Sequence, residues 1–310
     1  MDTNLTVVAA QAIVKMLVMV LIGVLGVKIK VLGSNENGAL SKFVLNITCP
    51  ALCIASYASG YDPEKAKGWF LSILLGIIIH VLGVAMATIL VKKDSSPDWQ
   101  VMRMAIVYGN VGFMGIPLAN ALFGTEAVFY ISTISLVYSI FIWSHGVLTM
   151  TGSMDRNTML KKVFFNPNMV CIIMGIIIFF LRIPIPDAIL APIQSIGNCT
   201  TPISMVAAGA IIATSDIKSA LKSKSVYVLS AIRLFLVPAV FFVILKLLPL
   251  PTTVELTAFV AAACPMGAMV TMFAVEHEKN AALASGIFAL TTLLCIGTIP
   301  ALIAVYGMLG

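Results

Sequence analysis

The sequence predicts an all-α membrane protein. Its ten transmembrane helices form two inverted five-helix repeats within a single membrane domain over residues 1–310. Three observations carry that expectation. The composition is 60% hydrophobic and only 10% charged, with a mean hydropathy of +1.06, whereas soluble domains carry about 25% charged residues. Ten mostly apolar intervals approach or exceed the roughly 20 residues that a helical span needs. Two helix-breaking motifs also recur at nearly one offset in the two halves, the mark of an internal repeat.

The ten intervals are 6–30, 38–60, 68–91, 101–123, 126–149, 167–182, 187–213, 225–248, 253–275 and 280–308. The first holds no Lys or Arg before Lys15 and ends in Gly26-Val27-Lys28, without a small-residue cleavage pattern. It reads as a retained span rather than a cleaved signal. The longest polar interval runs only from Thr151 to Asn166, so no linker or soluble domain separates the spans.

Basic residues orient the chain. With the N-terminus outside and sides alternating, thirteen of the 19 Lys and Arg fall on the inner side, among them Lys42, Lys161 and Lys218. Four fall outside (Lys65, Lys67, Arg182 and Lys246), and Lys15 and Arg233 lie within spans. The bias predicts both termini outside. It also accounts for the net charge of +6 without a nucleic-acid partner.

The repeat rests on particular residues. The second span carries Asn46-Ile-Thr-Cys-Pro50 and the seventh Asn198-Cys-Thr-Thr-Pro202, and the two prolines lie 152 positions apart. The fourth and ninth spans carry Pro117 and Pro265, 148 apart. Repeat one is then 1–150 and repeat two 160–310. Five is odd, so the second unit enters the membrane from the opposite side, which makes the repeat inverted.

In Asn-x-x-x-Pro, the carbonyl that proline leaves without a donor belongs to the asparagine itself. The asparagine amide either steadies the kink or lines a wall facing a substrate. That second reading makes Asn46 a candidate binding residue.

The stretch Tyr108-Gly-Asn-Val-Gly-Phe-Met-Gly-Ile-Pro-Leu-Ala-Asn120 lies inside an apolar span, yet holds three glycines, a proline and two asparagines. Helices at membrane depth break only where the freed backbone groups meet protein, water or ligand. In carriers, matched breaks in two halves point to the substrate site. Breaks at Pro117 and at Ala263-Cys-Pro-Met-Gly-Ala268 therefore make Asn110, Gly112, Pro117, Pro265 and Met266 candidate binding residues. The glycine run has a plainer reading as close helix packing. It follows no strand, so it is no dinucleotide fingerprint.

No enzyme is expected. His80, His145 and His277 sit in separate segments with no nucleophile or metal-spaced partner. The six cysteines lie in apolar runs, and Cys49 and Cys53 have no further ligand nearby, so neither a metal nor a cofactor is expected. The 13 acidic residues all fall in loops or at span ends. That disfavours cation exchange through buried carboxylates. Arg233, well inside the eighth span, either snorkels or pairs with carbonyls, or it draws in an anion. Together with helix N-termini at the two breaks, it favours a small anionic substrate.

Gly109-Asn-x-Gly-x-x-Gly-Ile-Pro-Leu118, ten spans in two halves, and Arg233-Leu-x-x-x-Pro238 together resemble the auxin efflux carrier family, over essentially the whole chain. The resemblance implies spans four and nine crossing at their prolines. It implies a scaffold of spans one, two, six and seven, and a moving unit of spans three to five and eight to ten. It also implies a homodimer and a substrate carboxylate near the fourth-span asparagine, here Asn110. The ninth span departs from the pattern of the family's plant PIN-type auxin carriers, with Ala261-Ala-Ala-Cys264 before its proline and no asparagine. With its short central loop, the chain is similar to bacterial malate and malonate permeases, which implies a carrier of a small dicarboxylate such as malate, malonate or oxalate working by elevator-type alternating access in the inner membrane. Two alternatives stand beside that one. The first is a sodium-coupled organic anion symporter of bile-acid-transporter type. The second is a sensing or assembly protein that does not transport.

Overall fold

A computed structural model describes residues 3–153, 155–165, 167–214 and 222–309; Lys218 and Asn166 lie outside the described residues. Each of the ten apolar intervals is occupied by helix. In chain order these are α1 (Thr3–Lys28), α2 (34–57), α3 (Pro63–Leu90), α4 (Trp99–Val107), α5 (111–123) and α6 (125–151). A short helix, α7 (Arg156–Phe164), precedes α8 (Pro167–Phe180). Then come α9 (Asp187–Asn198), α10 (Thr200–Thr214), α11 (Lys224–Lys246), α12 (Thr252–Ala263), α13 (Ala268–Glu276) and α14 (Ala281–Leu309). The result is an all-helical membrane protein. By length and composition alone, five described helical stretches (35–57, 63–90, 111–151, 187–214 and 224–246) qualify as spans, or six when a pair bent by 50° within α14 is taken as one. α4, α12 and α13 are only 9, 12 and 9 residues long and fall short of that test, because each break divides one apolar run between two pieces.

Three of the prolines flagged in the sequence sit in the same local geometry. Pro50, Pro117 and Pro238 each follow a single widened π-helical turn, over Val44–Thr48, Val111–Gly115 and Ile232–Leu236. The N–H just ahead of each proline reaches five residues back, as Ile116 does to the carbonyl of Val111. Inserting a residue into the turn moves the ring off the carbonyl it would strike in an α-helix. This corrects the sequence reading twice. Pro117 does not break its helix; the break lies upstream, at Tyr108–Asn110. The Asn46 amide bonds the carbonyl of Lys42 at 2.8 Å rather than repairing its own.

Gly124 separates α5 from α6. Its φ of 75° lies in the left-handed region that favours glycine.

α12 is buried on nearly every residue from Leu256 to Ala263, and its small side chains let neighbours approach from all sides. α1 and α3 instead expose large apolar groups such as Leu21 and Phe70, as helices facing hydrocarbon do. α1 crosses α10 at a pair of glycines. A Cβ on Gly23 would stand 2.0 Å from the carbonyl oxygen of Val206, and one on Gly209 would stand 2.0 Å from that of Val20. Backbone cannot yield as a side-chain tip can. Gly209→Ala is therefore expected to cost about 1–3 kcal/mol, measured as a lower melting temperature in detergent. An unchanged melting temperature would mean that α1 and α10 do not touch there.

Candidate functional site

The two broken helices meet backbone to backbone. α4 ends at Val107 and α12 at Ala263, and the chain runs extended through Tyr108–Asn110 and Cys264–Gly267. Pro265 explains the second break. It has no N–H, and its ring biases the preceding residue away from helix; Cys264 has φ −55° and ψ 145°. The extended pieces pair antiparallel, Gly109 opposite Met266. The Asn110 N–H donates to the Pro265 carbonyl at 2.7 Å, and the Gly267 N–H to the Tyr108 carbonyl at 2.9 Å. The Met266 N–H donates to Thr291 Oγ1 at 3.2 Å. Three N–H groups of non-helical backbone at this depth thereby find partners within the protein, as buried donors must.

Arg233 supplies donors to three carbonyls of the same region. It is fully buried, at 1% exposure. Its Nε donates to the Cys264 carbonyl at 2.9 Å, Nη1 to that of Ile106 at 3.0 Å and Nη2 to that of Ala262 at 3.2 Å. Two of these carbonyls belong to the last turns of α4 and α12, and the third follows directly on α12. Helix ends leave carbonyls without intrahelical donors and carry partial negative charge. The guanidinium satisfies both ends at once, so its counter-charge is backbone rather than a carboxylate. Gly109 makes room for it, since a Cβ there would stand 2.1 Å from Nη2.

The opposite side of the crossover is open. A cavity of about 730 Å³ is bordered by the start of α5, at Asn110, Val111, Gly112 and Phe113. The start of α13 borders it too, at Ala268, Met269 and Met272. Both helices thus present their N-terminal ends, with free N–H groups and partial positive charge. At that junction sits Asn110, 7% exposed, with no hydrogen-bond partner for its buried Nδ2. Ser135, Tyr138 and Ser139 form one polar face of α6 on the cavity. Asn46 and Lys42 line it from α2, Lys161 from α7 and Asn168 from α8.

The structure therefore divides the candidate residues. Asn110, Gly112 and Asn46 line one cavity. Pro265 and Met266 are buried in the backbone pairing beneath it. Arg233 lies behind that pairing, against the helix C-termini. Pro117 lies further along α5; with its π turn it has no N–H for the Gly112 carbonyl, which Cys49 Sγ approaches at 3.9 Å. Thr201 Oγ1 meets the Pro117 carbonyl at 3.3 Å.

His80 is a satisfied interior residue, its Nδ1 2.7 Å from the Gly76 carbonyl. Among the described residues, no group of His, Cys, Asp or Glu has the makings of a metal site. The sequence reading missed Lys42, Lys161, Asn168 and the α6 face. Ser135, Tyr138 and Ser139, three and four residues apart, were a legible stripe. The lysines came with no such signal.

Comparison with known proteins agrees with this architecture. The sequence profile of the membrane transport protein family matches residues 8–159 and again 153–303, one stretch for each half. An uncharacterized transporter of the archaeon Methanothermobacter thermautotrophicus is 23% identical over 302 residues, covering 94% of this chain and 96% of that protein.

Proposed function

This chain belongs to the membrane transport protein family, the auxin efflux carriers, and we propose that it is a secondary carrier of a small organic anion, a dicarboxylate such as malate, malonate or oxalate. One observation carries the reading. A buried amide without a partner, Asn110 Nδ2, stands at the junction of two helix N-termini on a cavity. Its two N–H bonds and the free backbone donors beside it suit a carboxylate, and among the described residues no Asp or Glu lines the cavity. Gly112 lets the anion approach the backbone, since a Cβ there would meet nothing within 4 Å. Asn46 contributes from the facing wall. Pro265, Met266 and Arg233 hold the geometry.

Ten spans in two inverted five-helix units fit these contacts. α1 packs on α10 through Gly23 and Gly209, and α8 packs on the second half of α2 where Gly175 meets the Tyr57 ring. Exchanging the two repeats maps one pair onto the other. Alternating access then moves α3–α6 with α11–α14, an elevator-type unit, against a scaffold of α1, α2 and α8–α10. In the anion reading the protein works as a homodimer in a bacterial inner membrane.

The lysine-lined cavity opens on the inner side if both termini are outside. Reporters fused after Gly310 and inserted at Asn157 are then expected on opposite faces; reporters on one face would remove the ten-span arrangement. Counterflow of labelled malate, malonate and oxalate in proteoliposomes tests the activity itself. Exchange without sodium is expected. A strict sodium requirement would favour the bile-acid-type symporter, and no exchange with any of the three anions would sink the dicarboxylate reading.

A further inference from the structure

Two side chains on the cavity belong to nothing described so far. Lys42 and Lys161 are the charged groups among its described lining residues. They come from different elements, α2 and α7, and both are exposed. Neither ammonium has a carboxylate partner among the described residues. Asn110 lies at the buried end of the same cavity. One wall therefore offers neutral donors at depth, and another offers two full positive charges nearer solvent.

A monocarboxylate needs only the first set. A dianion held by one carboxylate at Asn110 has its second charge inside an apolar-walled space, where an unpaired charge is costly. We infer that Lys42 and Lys161 are specificity-determining residues: they take the second carboxylate and so select doubly charged anions over singly charged ones. This inference rests on the anion-carrier reading and deepens it. Such cations act as point charges, so they favour a second negative group without fixing its geometry. The competing role for both lysines is to anchor the helix ends at the lipid headgroups. That role would make their loss indifferent to the charge of the ligand.

The test is equilibrium binding of labelled malonate and labelled acetate to purified protein. The parent, Lys42→Gln/Lys161→Gln and Lys42→Arg/Lys161→Arg are compared. The parent is expected to prefer malonate. Neutralising both lysines is expected to weaken malonate about tenfold while leaving acetate within about twofold. The arginine pair keeps the charges and is expected to keep the preference. Because both side chains are exposed, the neutral variant is expected to elute and melt like the parent. Equal weakening of both anions, no weakening of either, or a parent indifferent to anion charge would overturn the assignment of the lysines. A parent that binds neither anion would overturn the anion-carrier reading first, and this inference with it.

Discussion

Arg233→Gln is expected to abolish uptake nearly completely and to lower the melting temperature sharply. The side chain donates to three buried carbonyls drawn from both broken helices. Glutamine has two N–H bonds on a shorter stem, so it leaves at least one carbonyl unsatisfied and removes the charge facing two helix C-termini. Each buried carbonyl left without a donor costs about 1–3 kcal/mol. A second loss comes from two negative helix ends facing each other without a cation. Against a typical net stability of about 5–15 kcal/mol, that sum is large.

Arg233→Lys discriminates the cause. Lysine keeps the charge but lacks the planar fork that reaches three acceptors. It is expected to fold, to melt lower than the parent and to transport weakly. Melting curves in detergent, read beside uptake normalised to expression, separate the outcomes. If Lys and Gln both behave like the parent, the crossover does not depend on this cation. If Lys restores full stability and full uptake, charge alone matters and the fork does not.

The sequence made some of this legible and hid the rest for physical reasons. The ten intervals were readable because an apolar run of span length has few other uses. The break at Pro265 was readable because proline removes a donor and turns its predecessor extended, both local effects. Pro117 misled because one widened turn absorbs a proline within a helix, and Pro50 and Pro238 repeat the device. The true break at Gly109 depends on pairing with Met266 and on the guanidinium behind it, contacts between distant segments that no local pattern encodes. Arg233 drew attention as a cation well inside an apolar span. Its partners proved to be carbonyls at helix ends, which every residue carries and which only the fold brings together. Lys42 and Lys161 looked like ordinary inner-side charges until α2 and α7 were seen to border one cavity.

The central claim is that Asn110 binds the substrate rather than supporting the fold, and the two roles have opposite signatures. Its side chain makes no cap hydrogen bond, and its Nδ2 is buried without a partner. The backbone N–H and carbonyl that tie it into the crossover, to Pro265, Met114 and Gly115, survive any substitution but proline. Removing the amide therefore deletes no internal hydrogen bond. It relieves an unsatisfied buried group worth about 1–3 kcal/mol. The decisive measurement is labelled-malonate binding and melting temperature on the same preparation of Asn110→Ala. The expected result is no detectable binding with a melting temperature equal to or above that of the parent. Unchanged malonate affinity in a protein of unchanged stability would contradict the account.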